Sequence, residues 1–185
     1  MVSLTRRMPM QLSLVMIRGD HEARVDAMLA RAGHRVTGRE NHDVYGCVAW
    51  SEAAKMVRTA QRPCEVIRVA REGNWTLISD ESGLVVDDLA LWMEVAQEFA
   101  TPVVAAFAAG DEWSFAVFGP EGLVRAVVVD GDEVIERGTA LPIEQLFSGK
   151  ARLEDLTLLV SSFGVDFDRT NLESSYRLVE IEVAA

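Results

Sequence analysis

Four short apolar runs in the middle of the chain are separated by turns rich in glycine, aspartate and proline. The turns span residues 110–112, 119–122 and 130–132. Short loops of this composition between β-branched and aromatic runs are typical of β-hairpins. Trp113 and Phe115 alternate with Ala116 and Phe118, so both faces of the predicted sheet are apolar. The pattern predicts a four-stranded antiparallel meander, and its more polar last run, EVIER, is expected at a sheet edge.

Three segments have the 3.6-residue spacing of apolar positions that predicts an amphipathic helix. They are residues 21–32, 88–100 and 152–163. Asp20 is the candidate N-cap of the first helix, and Asp87 or Asp88 that of the second. The second helix has an apolar stripe that Leu91 and Val95 widen. The stripe itself is Leu89, Trp92, Met93, Ala96 and Phe99. Because this stripe needs an apolar cover, we expect the helix to pack on the meander.

The remaining patterns complete the predicted fold. Strands at 10–17 and 44–50 enclose the first helix and form an N-terminal β-α-β segment. Residues 33–43 are predicted to form a polar loop with room for a short extended piece. Further expected elements are a helix at 52–61, a hairpin at 64–71 and 74–79, a short helix at 143–147 and a last strand at 176–183. The predicted class is α+β, an antiparallel β-meander sheet packed by helices. We expect a single domain over residues 1–185, or an N-terminal lobe 1–61 beside a meander lobe 62–185.

The four tryptophans are predicted to lie in the core. They are Trp50, Trp75, Trp92 and Trp113. Residues 66–85 also resemble residues 103–124, with glycine, tryptophan and leucine or valine at an offset of 37 to 39 residues. A duplicated hairpin and the common residue preferences of hairpins both explain this similarity.

The charge is unevenly distributed along the chain. Residues 1–71 carry 12 Arg and Lys against 7 Asp and Glu, whereas residues 72–136 carry 14 acids and the single base Arg125. The formal net charge is −11, which disfavours direct binding to nucleic acid. No apolar run approaches the roughly 20 residues of a membrane helix, and no leader peptide is evident.

Motifs for catalysis, metals and cofactors are weak. The spacing of the histidines and cysteines matches no common zinc pattern, so we expect solvated histidines and reduced, structural thiols. These residues are His21, His34, His42, Cys47 and Cys64. A Cys47–His42 nucleophilic pair has no motif context, and glycine-rich phosphate loops are missing from the sequence. We therefore predict no catalytic residues, no cofactor and no metal, and a cytoplasmic location.

Acidic residues in the turns of the meander form the strongest candidate site. The first and third turns lie at the same end of a meander, on the order of 10 Å apart. This brings together Asp111, Glu112, Asp130, Asp132 and Glu133. Glu94 and Glu98 add a like-charged i, i+4 pair on the preceding helix. Turn preferences and solubility are the commoner explanation for acids at such positions.

The leading hypothesis is a non-enzymatic binding or regulatory module that presents an acidic surface to a basic protein partner. Immunity and inhibitor proteins follow the same charge logic. One alternative is a small enzyme or ligand-binding protein with a site between the first lobe and the sheet, where Asp166, Asp168 or Arg169 would supply charge. Another is a homodimer built on a sheet edge, through EVIER or the last strand.

Overall fold

The computed structural model describes residues 12–42, 55, 64–80, 82–110, 112–147, 153–166 and 176–182. Nine strands lie in these ranges. They are β1 (Leu12–Arg18), β2 (Arg35–His42), β3 (Cys64–Glu72), β4 (Trp75–Asp80), β5 (Val103–Ala109), β6 (Glu112–Gly119), β7 (Gly122–Asp130), β8 (Glu133–Gly138) and β9 (Tyr176–Glu182). The α-helices described are α1 (Val25–Arg31), α2 (Leu89–Glu98) and α3 (Leu153–Ser162). Two 3-10 segments, Glu22–Arg24 and Pro142–Leu146, precede α1 and α3.

All nine strands belong to one antiparallel sheet, in the order β2-β9-β3-β4-β1-β5-β6-β7-β8. The protein is therefore a mixed α+β structure with a β-rich antiparallel sheet, as predicted. Strands β5 to β8 are consecutive neighbours, so the predicted meander is confirmed. The EVIER run lies in β8, which is an edge strand. The last strand, β9, lies between β2 and β3, so the prediction that it offers a free edge is wrong.

The first part of the chain differs from the prediction. The polar residues expected to form a loop with a short extended piece instead form the eight-residue strand β2, which pairs with β9 from Arg35↔Glu182 to His42↔Tyr176. Along β2, exposed residues alternate with half-buried Val36 and Gly38, a pattern that suits an edge strand. Strand pairing across the sheet has overridden weak local preferences. The predicted strand 44–50 lies outside the described residues, as does the predicted helix 52–61 apart from Lys55, which is helical.

The sheet has an apolar core on each face. On one face, α3 covers a cluster that includes Trp75, Trp113 and Leu156; we call this the α3 face. On the other, α1 and α2 cover a cluster that includes Leu29 and Trp92; we call this the α1–α2 face. Trp75 and Trp113 are each 8% exposed and Trp92 is fully buried, which confirms them as core residues. Trp50 lies outside the described residues.

Helix α2 packs on the meander, but with a narrower buried arc than expected. It buries Leu91, Trp92, Val95 and Ala96. Leu89 and Met93, predicted to be buried, are 39% and 36% exposed. Two hydrogen bonds help to fix the rotation of α2 about its own axis, which decides which side chains are buried. The Asp88 carboxylate accepts from the Leu91 amide at 3.1 Å, and the Trp92 indole donates to the Val85 carbonyl at 2.9 Å. Asp88 is thus the N-cap, whereas Asp20 makes an ion pair with Arg71 instead of capping α1.

Candidate protein-binding site

Three predicted site residues form one row across neighbouring strands. Glu112 on β6 is the register partner of Asp130 on β7, and Asp130 is the partner of Glu133 on β8. Directly opposed residues of antiparallel strands have Cβ atoms about 5 Å apart. The register therefore brings the acids of the first and third turns closer together than the turn spacing alone predicts. We call Glu112, Asp130, Asp132 and Glu133 the acidic rim; Asp111 lies outside the described residues.

The burial of neighbouring residues fixes the direction of this row. Trp113 and Val129 are register partners, and both are buried on the α3 face. Because successive strand residues point to opposite faces, Glu112 and Asp130 are directed to the α1–α2 side of the sheet. The turn after Asp130 contains only two residues, and its Gly131 has a φ of +57°, a conformation that glycine adopts without strain.

The charge of the acidic rim is not compensated within the described part of the chain. All four residues are exposed, and none of their carboxylates has a hydrogen bond or ion pair there. Five other acids of the described surface are paired with arginine. These pairs are Arg31–Glu98, Arg35–Glu182, Arg39–Asp26, Arg71–Asp20, Arg125–Glu136 and Arg177–Asp26. Like charges directly opposite in a sheet are destabilising, so the rim retains an electrostatic cost that these paired acids avoid.

The structure does not bring Glu98 to the rim. A Cβ on Gly122, the first residue of β7, would lie 3.7 Å from Nε2 of Gln97. The end of α2 is therefore near the opposite end of β7 from Asp130, roughly 25 Å away along the strand. Arg31 donates a hydrogen bond to Glu98, which lowers the pKa of Glu98.

The negative charges of Glu94 and Glu98 on α2 are consequently opposed by the positive charge of Arg31 on α1. The pKa of Arg31 is raised, first by its hydrogen bond to Glu98 and then by the charge of Glu98, with a smaller contribution from Glu94. Arg31 therefore weakens the repulsion expected between Glu94 and Glu98, and their role in binding a partner stays a prediction. Local sequence could not predict this contact, because it depends on tertiary structure: Arg31 belongs to α1 and lies 67 residues from Glu98 in the sequence.

A buried carboxylate that sequence reasoning did not single out lies at the rim end of the sheet. Asp80 ends β4 and is 2% exposed. It accepts hydrogen bonds from the Ser13 hydroxyl at 2.5 Å and the Val85 amide at 2.9 Å. These bonds hold the turn that leads into α2. Asp87 is exposed, yet desolvation by the surrounding protein raises its pKa, and the nearby charge of Asp80 raises it further.

Apolar side chains continue the surface beside the acidic rim. The next row on the same face of β7 and β8 pairs Val128 with Ile135, which are 38% and 52% exposed. On the other side of β8, Val134 is 55% exposed. Charges bordered by exposed aliphatic groups provide the polar and apolar components found together in protein–protein interfaces.

Other candidate chemistry has a structural role where it is described. His21 is half-buried rather than solvated, and it stacks on Phe99 with the ring centroids 4.9 Å apart. Cys64 is a free, half-buried thiol whose pKa is raised first by burial and then by Glu180 and Glu65, which makes it a poorer nucleophile. Cys47 is outside the described residues, and so is the side chain of His42. Across the described ranges, no group of three or more His, Cys, Asp or Glu side chains has a geometry that holds a metal ion.

A groove of about 480 Å³ lies between the 3-10 segment Pro142–Leu146 and the end of α3. Its lining residues are Leu141, Pro142, Ile143, Leu146, Ser162 and Phe163. A single hydroxyl in an apolar lining supplies no acid, base or nucleophile pair. None of the described helices is both long and apolar enough to cross a membrane.

Comparison with known proteins adds no relative. No family model matches the chain, and neither a curated protein nor a solved structure is significantly similar to it.

Proposed function

We propose that the chain is a non-enzymatic binding module that presents the acidic rim to a basic protein partner, in the manner of an immunity or inhibitor protein. The observation that carries this proposal is the row Glu112–Asp130–Glu133, which has no cationic partner among the described residues. A row of like charges weakens the sheet that holds it. A cationic partner would convert this cost into binding free energy when it neutralises the row.

The surroundings of the rim favour a protein as the partner. Val128 and Ile135 border the carboxylates and are exposed, so a partner gains apolar contact as well as charge neutralisation. Lysine and arginine side chains offer both, because their aliphatic stems pack on apolar surface while their charged ends reach acids. The formal charge of −11 disfavours nucleic acid.

Electrostatic recognition of this kind has a recognisable signature. Opposite charges accelerate the encounter of two proteins, and salt reduces that acceleration. At 0.1 M ionic strength, interactions between exposed charges are screened beyond about 10 Å. We therefore expect partner binding to weaken as the salt concentration rises, with most of the loss in the association rate.

The alternative of a small enzyme has less support among the described residues. The groove beside α3 has an apolar lining and does not lie between the first lobe and the sheet, where an enzymatic site is predicted. It would suit an apolar ligand rather than a reaction. We retain the single α+β domain and the cytoplasmic location as part of the proposal.

Capture experiments with matched variants test the proposal. The wild-type chain, a rim variant (Glu112→Gln, Asp130→Asn and Asp132→Asn) and a control variant (Glu94→Gln and Glu98→Gln) would each be immobilised and exposed to lysate of the source cells at low and high salt. We expect a basic protein to be retained at low salt by the wild type and the control but lost from the rim variant. Failure of the wild type to retain any basic protein, or equal retention by the rim variant, would refute the proposal.

A further inference from the structure

We infer that the free edge of β8 pairs antiparallel with β8 of a second copy of this chain, in a register that places Glu133 opposite Arg137 of the other copy. The edge itself is unusually open. All six residues of β8 are exposed, including the apolar Val134 and Ile135 at 55% and 52%. An edge strand also leaves a row of backbone N–H and C=O groups without a partner in its own sheet.

The hydrogen-bond phase of β8 limits how a second copy can pair. The two-residue turn after Asp130 makes Asp130 and Glu133 the hydrogen-bonded pair that closes the hairpin. The Thr139 amide donates to the Val124 carbonyl at 3.3 Å, at the far end of the strand. This bond fits the same alternation of hydrogen-bonded and non-hydrogen-bonded pairs. Because such pairs alternate along an antiparallel ladder, Ile135 also bonds to β7. The N–H and C=O groups of Val134 and Glu136 therefore point away from the sheet.

Backbone hydrogen bonds form between two copies of β8 only in registers that place Val134 or Glu136 of one copy opposite Val134 or Glu136 of the other. One such register centres on Ile135, which then faces Ile135 of the second copy, while Val134 faces Glu136. It also places Glu133 opposite Arg137 twice, once on each side of the two-fold axis. A shift of two residues in one direction puts Glu136 opposite Glu136, and a shift in the other direction puts Asp132 opposite Glu136. The Ile135-centred register is thus favoured by charge.

The side chains that meet in this register have no competing partners within the described structure. Arg137 and Glu133 make no ion pair there. Glu136 faces apolar Val134 of the other copy, and its carboxylate accepts a hydrogen bond from Arg125 at 2.7 Å. On the α1–α2 face, Ile135 and Val128 of both copies form a continuous apolar row across the axis. Charged edge residues usually prevent pairing between sheets, whereas the order of charges in EVIER is complementary to its own reverse.

The predicted dimer does not depend on the proposed function. It pairs Glu133 with Arg137 of the second copy and leaves Glu112, Asp130 and Asp132 of the acidic rim available to a basic partner. A two-fold axis through Ile135 directs the acidic rims of the two copies to opposite ends of a continuous sheet. Glu133 belongs to both surfaces, so the rim variant above leaves this residue unchanged. The capture experiment and the test for dimerisation can therefore give independent results, and failure of one proposal is distinguishable from failure of the other.

Sedimentation equilibrium over a wide concentration range tests the inference. We expect the wild type to reach twice the 20.4 kDa mass of the chain. Glu133→Arg or Arg137→Glu alone should shift the dimer to monomer, because like charges then oppose each other. The double exchange should restore the dimer. Val134→Pro should also give a monomer without loss of fold, because it removes only an outward N–H; circular dichroism verifies the fold.

Three results would overturn the inference. The first is a wild type that remains monomeric up to about the millimolar concentrations at which weak complexes form. The second is a dimer that Val134→Pro does not affect. The third is a double exchange that stays monomeric while each single variant is folded, which would exclude the Glu133–Arg137 register.

Discussion

The guanidinium of Arg125 donates hydrogen bonds to both carboxylate oxygens of Glu144, with Nε 2.9 Å from Oε1 and Nη2 2.5 Å from Oε2. The two side chains are only 5% and 13% exposed. Glu144 also accepts from the Leu141 amide at 2.7 Å, so this pair fastens the 3-10 segment Pro142–Leu146 to the meander. The hydrogen bond to Glu144 is the main reason why the pKa of Arg125 is raised.

Removing one partner of this pair should destabilise the protein. We expect Glu144→Ala to lower the free energy of unfolding by about 2–4 kcal/mol, because a nearly buried guanidinium then loses its main acceptor. The double variant Arg125→Met and Glu144→Leu should cost less than Glu144→Ala, since no buried charge is left unpaired. Urea denaturation of the three chains makes the comparison. A double variant less stable than the single variant would contradict this explanation.

Trp75 and Trp113 offer a matched pair of substitutions. Both are 8% exposed on the α3 face. The Trp75 indole donates to the Phe163 carbonyl at 3.0 Å, whereas the Trp113 indole N–H has no partner among the described residues. We expect Trp75→Phe to cost about 1–2 kcal/mol more than Trp113→Phe, because only the former leaves a carbonyl without its donor. Thermal or urea unfolding would decide, and equal costs would show that the indole bond contributes little.

Stability should depend on pH through Asp87. Its folded-state pKa is raised, so its ionised form is disfavoured by folding, and its unfavourable contribution is fully present above the folded pKa. Asp87→Asn should therefore stabilise the protein near neutral pH. The gain should disappear below the unfolded-state pKa of about 3.9. Glu121→Gln, at the exposed β6–β7 turn, controls for the loss of one negative charge. A gain that is independent of pH would argue against this origin.

Neutralising an acid of the acidic rim should stabilise the protein. Asp130 stands between Glu112 and Glu133, so Asp130→Asn removes both repulsions while it preserves the turn-forming side chain. We expect stabilisation on the order of a few tenths of a kcal/mol at low salt, and less in about 1 M salt. Asp26→Asn should have the opposite sign, because Asp26 is paired with Arg39 and Arg177. If Asp130→Asn destabilises at low salt, the rim carries no retained repulsion.

Local patterns were sufficient for the parts of the fold that local chemistry determines. Glycine and aspartate turns defined the meander, and because successive turns of a meander lie at opposite ends, the first and third turns placed Glu112 and Asp130 at one end. Strand β2 was missed because its polar residues become a strand only by pairing with β9, more than 130 residues away. The neutralisation of Glu98 by Arg31 requires α1 and α2 to meet, and the hold of Glu144 on Arg125 requires the chain to fold back after β8. No local spacing contains these contacts.

Site-specific photo-crosslinking tests the central claim most directly. A photoreactive amino acid would replace Asp132 at the acidic rim in one chain and Glu98 at the far end of α2 in another, both expressed in the source cells. Irradiation at position 132 should yield a covalent adduct with a basic protein, and position 98 should not yield that adduct. No adduct at position 132, or the same adduct from both positions, would contradict recognition of a basic partner through the rim.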